Sequence, residues 1–356
     1  MAKLIAQALG FGMLFVIILE LVARTEDTVR YDAPFWGHYH LEGIRGLDER
    51  GTRRCAPNQR YKHFRLGEHG FRQTEYKRSG KKTFVWLGAS EAFGLYETPG
   101  EDVANQLERH FVRLGQDIDV VNAACFGLNV PRMQRLLEDP LPDIAMDYLA
   151  LYPTPHFYLD NQVVAPDQPR TQPPRPARFV SRLVTKGRDV MKSFLPPGVQ
   201  DALRSLQTKR AIADVRDDWL WREPPADRLA LFETHMQAML DAAVALDVKV
   251  ALLTHANAFH RQAELDGSKL QAWQKFYPRA ADDVLIEFDA AANAITRRLA
   301  AEYQVELIDM AEVVQGQPGL FADFSHFTDE GAQLAADRLQ QWVLGESIAA
   351  GQQPSH

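Results

Sequence analysis

Three residues in two distant parts of the chain have the types needed for nucleophilic catalysis. Residues 83–88 have strand character, and Ser90 follows them where a strand turns towards a helical segment. Such turns present a hydroxyl at the carboxyl end of a parallel sheet, where ligand crevices form. Near the other end of the chain, Asp323 and His326 stand three positions apart, before another helical pattern. A carboxylate at that spacing can orient an imidazole, which could then accept the Ser90 proton.

Each of these residues also has a simpler structural interpretation. Ser90 could cap the helix that follows it, and Asp323 or Ser325 could cap the last helix while His326 lies at the surface. Asp323 and His326 alone would favour capping. Their combination with a serine at a strand end favours catalysis, because the three residues supply a nucleophile, a base and a group that orients the base.

Alternating strands and helices are predicted to position these residues. The strands are near-continuous apolar runs, which is typical of a parallel sheet covered by helices on both faces. The alternation therefore predicts an α/β fold with a doubly wound parallel sheet. Strands are predicted at 83–88, 118–123, 146–152, 248–254 and 305–309, and helices at 99–115, 131–138, 227–246, 262–275, 281–303 and 328–345.

Length and composition limit the functional classes. The 356 residues suffice for one large α/β domain with insertions or for two small domains, and the net charge of -7 does not favour a nucleic-acid partner. No cofactor or metal is predicted, since no His, Cys and Asp cluster has metal-ligand spacing and no phosphate-binding loop is present. Cys125 lies in an apolar run and is interpreted as a small buried residue, although a disulfide with Cys55 is an open alternative.

The N-terminal 24 residues are predicted to be a transmembrane signal anchor. Residues 4–22 are almost entirely apolar and approach the length needed to span a bilayer. A cleaved signal peptide and a buried helix are the alternatives. The first lacks a good cleavage site, and the second lacks a polar face. Residues 25–80 are interpreted as a connector packed on the main domain of residues 81–350.

An insertion at 160–226 interrupts the alternation. Residues 165–177 are rich in proline and are predicted to be extended. Residues 178–195 combine apolar positions at helical spacing with several basic residues, and they predict an amphipathic helix. Such a helix could pack on the main domain, act as a lid, or lie on an anionic membrane surface.

Three sequence blocks resemble those of the SGNH/GDSL hydrolase superfamily. Residues 88–94 read Gly-Ala-Ser-Glu-Ala-Phe-Gly, residues 122–127 read Asn-Ala-Ala-Cys-Phe-Gly, and residues 323–326 read Asp-Phe-Ser-His. The resemblance covers about residues 81–345 and implies a flavodoxin-like, three-layer parallel sheet. The segment 64–72 is similar to the lead-in of membrane-anchored bacterial members, which implies an inner-membrane location with the catalytic domain in the periplasm.

The chain departs from the family pattern at two positions, and the second of them affects the oxyanion hole. The family Asp before the serine is Ala89 here, and the third block, with its Asn, is absent. The resemblance implies that the backbone N–H groups of Ser90 and Gly127 are oxyanion donors. His156 and Asn129 are the candidates for a third donor, and losing one donor typically costs about 10²–10³ in rate.

Two further polar residues follow the fourth predicted strand. His255 and Asn257 are predicted to lie at the rim of the crevice, either as substrate contacts or as structural hydrogen-bonding groups.

The resemblance implies a serine esterase or deacylase. Ser90 would be the nucleophile, His326 the base and Asp323 its orienter, and the substrate would be an ester-linked acyl group on an envelope or exopolysaccharide glycan. Two alternatives stay open. One is O-acyl transfer to a polysaccharide with a membrane acyltransferase as partner, and the other is a non-catalytic scaffold in polysaccharide assembly.

Overall fold

The computed structural model describes residues 1–37, 39–48, 52–74, 81–159, 181–187, 206, 219–259 and 267–345. Within these ranges, the central sheet has five parallel strands, which are β5 (Lys82–Gly88), β6 (Ile118–Asn122), β7 (Tyr148–Tyr152), β8 (Lys249–Leu253) and β9 (Glu306–Ile308). Their order across the sheet is β6-β5-β7-β8-β9. The prediction of an α/β fold with a parallel sheet is confirmed, and each predicted strand matches an observed one within about two residues.

The sheet is buried on both faces. Phe84 and Val85 are neighbours in β5 and therefore point to opposite faces, and both are fully buried. The helices are α1 (Ala2–Tyr31), α2 (Ser90–Phe93), α3 (Val103–Arg113), α4 (Val130–Glu138), α5 (Ala226–Val244), α6 (Gly267–Phe276), α7 (Asp282–Glu302), α8 (Met310–Val314) and α9 (Asp329–Leu344). Two groups of helices pack together, one containing α3 and α9 and the other containing α4, α5 and α7.

The N-terminal prediction is wrong. Among the described residues, none of the helices combines the length and the apolar character that crossing a bilayer requires. The predicted signal anchor at 4–22 and the inner-membrane, periplasm-facing location are therefore not upheld. The apolar run is part of the longer helix α1, in which Glu20 forms an ion pair with Arg24 and accepts a hydrogen bond of 2.7 Å from Ser181 Oγ.

The described part of the predicted amphipathic helix packs on α1. Residues 182–187 are helical, and the rest of 178–195 lies outside the described residues. Lys186 Nζ lies 2.6 Å from Glu26 and 2.8 Å from Asp27, and Arg182 Nε lies 3.7 Å from Asp27. These basic side chains contact acidic residues of the protein, so the packing alternative is the one that these contacts favour.

The connector contains two short hairpins and a disulfide. The hairpin strands are β1 (Arg45–Leu47), β2 (Arg53–Cys55), β3 (Arg60–Tyr61) and β4 (Phe64–Arg65). Cys55 at the end of β2 is bonded to Cys125, 70 positions further along the chain. The connector is therefore covalently tied to the loop after β6, which contains the second sequence block. Cys125 is buried as predicted, and the disulfide with Cys55 that the sequence left open is present.

Candidate active site

The turn after β5 places Ser90 at the carboxyl end of the sheet. Ser90 is the first residue of α2, and the preceding Ala89 is fully buried. Gly88 is required by close packing, because a Cβ atom there would lie 2.6 Å from Ala92 Cβ and 2.9 Å from the Tyr152 carbonyl oxygen. Gly88 therefore allows β5 and β7 to approach each other closely just before Ser90.

A buried carboxylate directly follows the serine. Glu91 is 1% exposed, and its Oε2 accepts hydrogen bonds from Ser90 Oγ at 3.3 Å and from Thr154 Oγ1 at 3.2 Å. Its Oε1 accepts from Ser325 Oγ at 2.9 Å. Burial raises the pKa of Glu91, but His255 and other nearby imidazoles more than offset this and hold it well below its usual range. Glu91 is therefore an anion that joins the turn of Ser90 to the loop of the last block.

The last block holds its imidazole in a defined orientation. His326 Nδ1 lies 2.9 Å from both carboxylate oxygens of Asp323, and Asp323 Oδ1 also accepts the backbone N–H groups of Ser325 and His326 at 3.0 Å. Burial lowers the pKa of His326, but the hydrogen bond to Asp323 and the charge of Glu91 raise it above its ordinary value. The other ring nitrogen, Nε2, is buried without a hydrogen-bond partner within the described residues. This is the atom that a general base uses.

Glu91 brings the first and last blocks to the same edge of the sheet. It contacts Ser90 and Ser325 directly, and its charge acts on His326. The Tyr96 ring covers His326 with the two ring centroids 4.8 Å apart. The turn of the predicted nucleophile and the loop of the predicted base therefore share hydrogen bonds to one carboxylate, although they are separated by more than 200 positions in the chain.

The conformation of the serine turn is supported by Arg72 from the connector. Arg72 is buried, and its Nη1 donates to the carbonyl oxygens of Phe93 and Gly94, which lie at the end of α2. Its Nη2 forms an ion pair with Asp102 at 2.9 Å. The guanidinium thus satisfies helix-terminal carbonyls that would otherwise be buried unpaired.

The oxyanion candidates have different environments. Gly127 has a φ of +76°, a left-handed conformation that favours glycine, and it is held by Arg132 Nη1, which donates to its carbonyl at 2.9 Å. Asn129 caps α4, with its Oδ1 accepting the Arg132 backbone N–H at 3.2 Å. His156 is buried, and its Nε2 lies 3.9 Å from Glu91. Burial and the neighbouring His255 lower the pKa of His156 to about 4, so this ring is neutral.

His255 and Asn257 lie beneath the site in a hydrogen-bonded network. His255 Nδ1 lies 2.7 Å from Asp289 Oδ2, and Asn257 Nδ2 donates to the same oxygen at 2.8 Å. Burial lowers the pKa of His255, but the carboxylates of Asp289 and Glu91 raise it to about 9. Both side chains are at most 1% exposed. Of the two roles predicted for them, this environment favours structural hydrogen bonding over direct contact with substrate.

Sequence reasoning missed Glu91 and Asp289. Glu91 had a visible signal, because it is the one charged residue in the otherwise small and apolar run from Gly88 to Gly94. Asp289 had none, since it lies in the middle of α7 among other charged and small residues. A charged residue on a helix is usually solvated, and only the tertiary structure shows that this one is fully buried.

The comparisons with known proteins give similarities of structure. No family model and no curated protein matches the chain. An acetyl xylan esterase, AlAXEase, is 15% identical with a TM-score of 0.42, over 74% of this chain and 99% of that one. A lipolytic protein of the G-D-S-L family from Desulfitobacterium hafniense is 13% identical with a TM-score of 0.39, over 73% and 99%. The acetyl xylan esterase Axe2 from Geobacillus stearothermophilus is 13% identical with a TM-score of 0.41, over 79% and 100%.

The resemblance to the SGNH/GDSL hydrolase superfamily therefore rests on the three sequence blocks of this chain. At this level of identity and TM-score, the structural similarities carry no argument about the reaction or the substrate. The case for an activity therefore rests on the residues of this chain.

Proposed function

We propose that the chain is a serine esterase in which Ser90, His326 and Asp323 form the catalytic triad. The observation that carries the proposal is the state of His326. Its Nδ1 is bound to a carboxylate, while its Nε2 is buried and unpaired among the described residues. An imidazole oriented in this way beside a serine turn can accept a proton from the hydroxyl.

The proposed reaction has two steps. Ser90 Oγ attacks the ester carbonyl as its proton passes to His326 Nε2, and that proton then leaves with the alcohol. Water hydrolyses the acyl-serine by the same transfers in reverse order. Asp323 fixes the proton of the resting imidazole on Nδ1 and stabilises the imidazolium that forms. The backbone N–H groups of Ser90 and Gly127 are the proposed donors to the oxyanion.

The hydrogen bond from Ser90 to Glu91 has to be broken in this mechanism. At 3.3 Å, this bond is longer than a typical bond between a hydroxyl and a carboxylate, so exchanging it for one with His326 costs little. The exchange requires the serine side chain to turn from Glu91 towards His326, and a serine hydroxyl has three staggered positions available for such a rotation. The contact with Glu91 thus describes a resting position of the hydroxyl.

The proposed substrate class is an ester-linked acyl group on a glycan. This part of the proposal rests on the resemblance of the sequence blocks. Product analysis with acetylated oligosaccharides, with and without an added sugar acceptor, separates hydrolysis from acyl transfer.

A fluorophosphonate probe tests the proposed nucleophile, because such probes form a covalent bond with activated serines. We expect labelling of the folded chain, complete loss of labelling in Ser90→Ala, and strong loss in His326→Ala. Ser181→Ala is a matched control that removes a hydroxyl bonded to Glu20, and it should label like the original protein. A folded protein without labelling would refute the esterase proposal and favour the scaffold alternative.

A further inference from the structure

Three buried side chains below Ser90 form a cluster that the esterase mechanism does not use. Glu91, His156 and His255 each offer one ligand atom, and these atoms lie within 4.8 Å of one another. None of the three residues is more than 2% exposed. One carboxylate and two imidazoles form a ligand set found in catalytic zinc sites.

The distances between the side chains of the cluster are too long for direct hydrogen bonds. Glu91 Oε1 lies 3.9 Å from His156 Nε2 and 3.8 Å from His255 Nε2, which is beyond hydrogen-bond range. His255 Nε2 is also buried without a hydrogen-bond partner in the described part of the chain. Tetrahedral zinc ligands at the usual bond lengths lie about 3.3–3.5 Å apart. The two distances from Glu91 to the imidazoles therefore exceed coordination spacing by only a few tenths of an ångström, and the two imidazole nitrogen atoms lie within 4.8 Å of each other.

A second carboxylate supports one of the imidazoles from behind. Asp289 Oδ2 lies 2.7 Å from His255 Nδ1, and it also accepts from Asn257 Nδ2 at 2.8 Å. Histidines that bind zinc commonly donate their other ring N–H to a carboxylate, which fixes the tautomer and directs the free nitrogen at the metal. Asp289 imposes this arrangement on His255, because it leaves Nε2 facing Glu91.

We propose that Glu91, His156 and His255 bind a divalent cation of the zinc class, with Asp289 as the supporting carboxylate. Binding would release the proton that the raised pKa of about 9 keeps on His255, and the two carboxylates Glu91 and Asp289 would then balance the charge of such an ion. Coordination also provides a partner for the buried Nε2 of His255, which is otherwise costly to leave unpaired. Three protein ligands leave the fourth position of a tetrahedral ion open.

The ion would change the electrostatics at Ser90. Without it, the Glu91 carboxylate lies next to the serine hydroxyl and opposes the negative charge that develops when the serine attacks. A bound cation would neutralise this local negative charge. It would thereby offset the oxyanion stabilisation that is lost with the asparagine donor of the third block. The binding of the ion itself does not depend on catalysis.

Metal content tests the proposal directly. The full-length chain is stripped with a chelator, incubated with Zn²⁺, passed through a desalting column and analysed by mass spectrometry. We expect one equivalent of zinc and a dissociation constant measurable by competition with a chromophoric chelator. We expect Asp289→Asn to weaken binding about 10–100-fold, and His255→Gln to abolish it. His235→Gln is the matched control, since His235 contacts Tyr158 outside the cluster.

Two results would overturn the proposal. One is the absence of retained zinc in the folded original chain, which would mean that a proton or a water molecule occupies the space between the three side chains. The other is equal zinc binding in the original chain and in Asp289→Asn, a variant that keeps all three ligands. Neither result depends on ester hydrolysis, so failure of this proposal is distinguishable from failure of the esterase proposal.

Discussion

Replacement of Asp323 by asparagine tests whether this residue orients His326 for catalysis or only caps the backbone N–H groups of its own loop. Asp323 Oδ1 accepts the backbone N–H groups of Ser325 and His326, whereas Oδ2 has only the bond to His326 Nδ1. In Asp323→Asn, the amide oxygen can keep the position of Oδ1 and its backbone bonds. The amide nitrogen then takes the position of Oδ2 and presents a donor to His326 Nδ1. The loop is preserved, but the amide N–H at the Oδ2 position opposes a proton on Nδ1 and favours the tautomer protonated on Nε2, which cannot accept the serine proton.

The expected loss in kcat follows from this change of tautomer. A triad carboxylate replaced by its amide costs about 10⁴-fold in serine proteases, and the same wrong-tautomer argument applies here. At 1.36 kcal/mol for each factor of ten, this corresponds to about 5 kcal/mol of transition-state stabilisation. The thermal midpoint should change little, because both backbone bonds of the Oδ1 position remain.

Hydrolysis of p-nitrophenyl acetate, with kcat and KM measured separately, is a suitable assay. Asp241→Asn is the matched control, since this carboxylate accepts a hydrogen bond of 2.8 Å from Tyr303 on the helical layer and has no role in the proposed chemistry. A folded Asp323→Asn variant with kcat within about threefold of the original protein would refute the reasoning. It would show that Asp323 is only a capping residue.

Two further predictions concern pH and the disulfide. The pKa of His326 is raised above its ordinary value of about 6.5. Below this raised pKa the imidazole is protonated and cannot act as a base. The pH profile of kcat/KM should therefore fall on the acid side with a midpoint above about pH 6.5, and a midpoint below pH 6 would contradict the assignment of the base. The disulfide closes a loop of 70 residues, so the double variant Cys55→Ala, Cys125→Ala should lose about 4 kcal/mol in the free energy of unfolding. Urea denaturation measures this loss, and a change below about 1 kcal/mol would contradict it.

The central sheet could be predicted because its signals are local. The apolar run of β5 is complete within seven residues, and burial on both faces removes the polar alternation that would mark a half-exposed strand. The pairing of Asp323 with His326 is also local, since three positions suffice to bring a carboxylate to an imidazole. The N-terminal prediction also used a local signal, and it failed: the apolar run lies in α1, which continues to Tyr31 and contains the ion pair of Glu20 with Arg24, and none of the described helices meets the requirements for a membrane span.

The sequence by itself determined the parallel sheet, the serine at its edge and the orientation of the candidate base, since each follows from short-range spacing. Only the tertiary structure decided that Cys55 bonds to Cys125 and that Glu91 lies among His156 and His255. Glu91 and the two histidines follow three different strands of the central sheet. Parallel strands bring their carboxyl ends to one edge of a sheet irrespective of distance along the chain. A cluster assembled in this way has no characteristic spacing in sequence, which is why the candidate metal site became visible only in the folded chain.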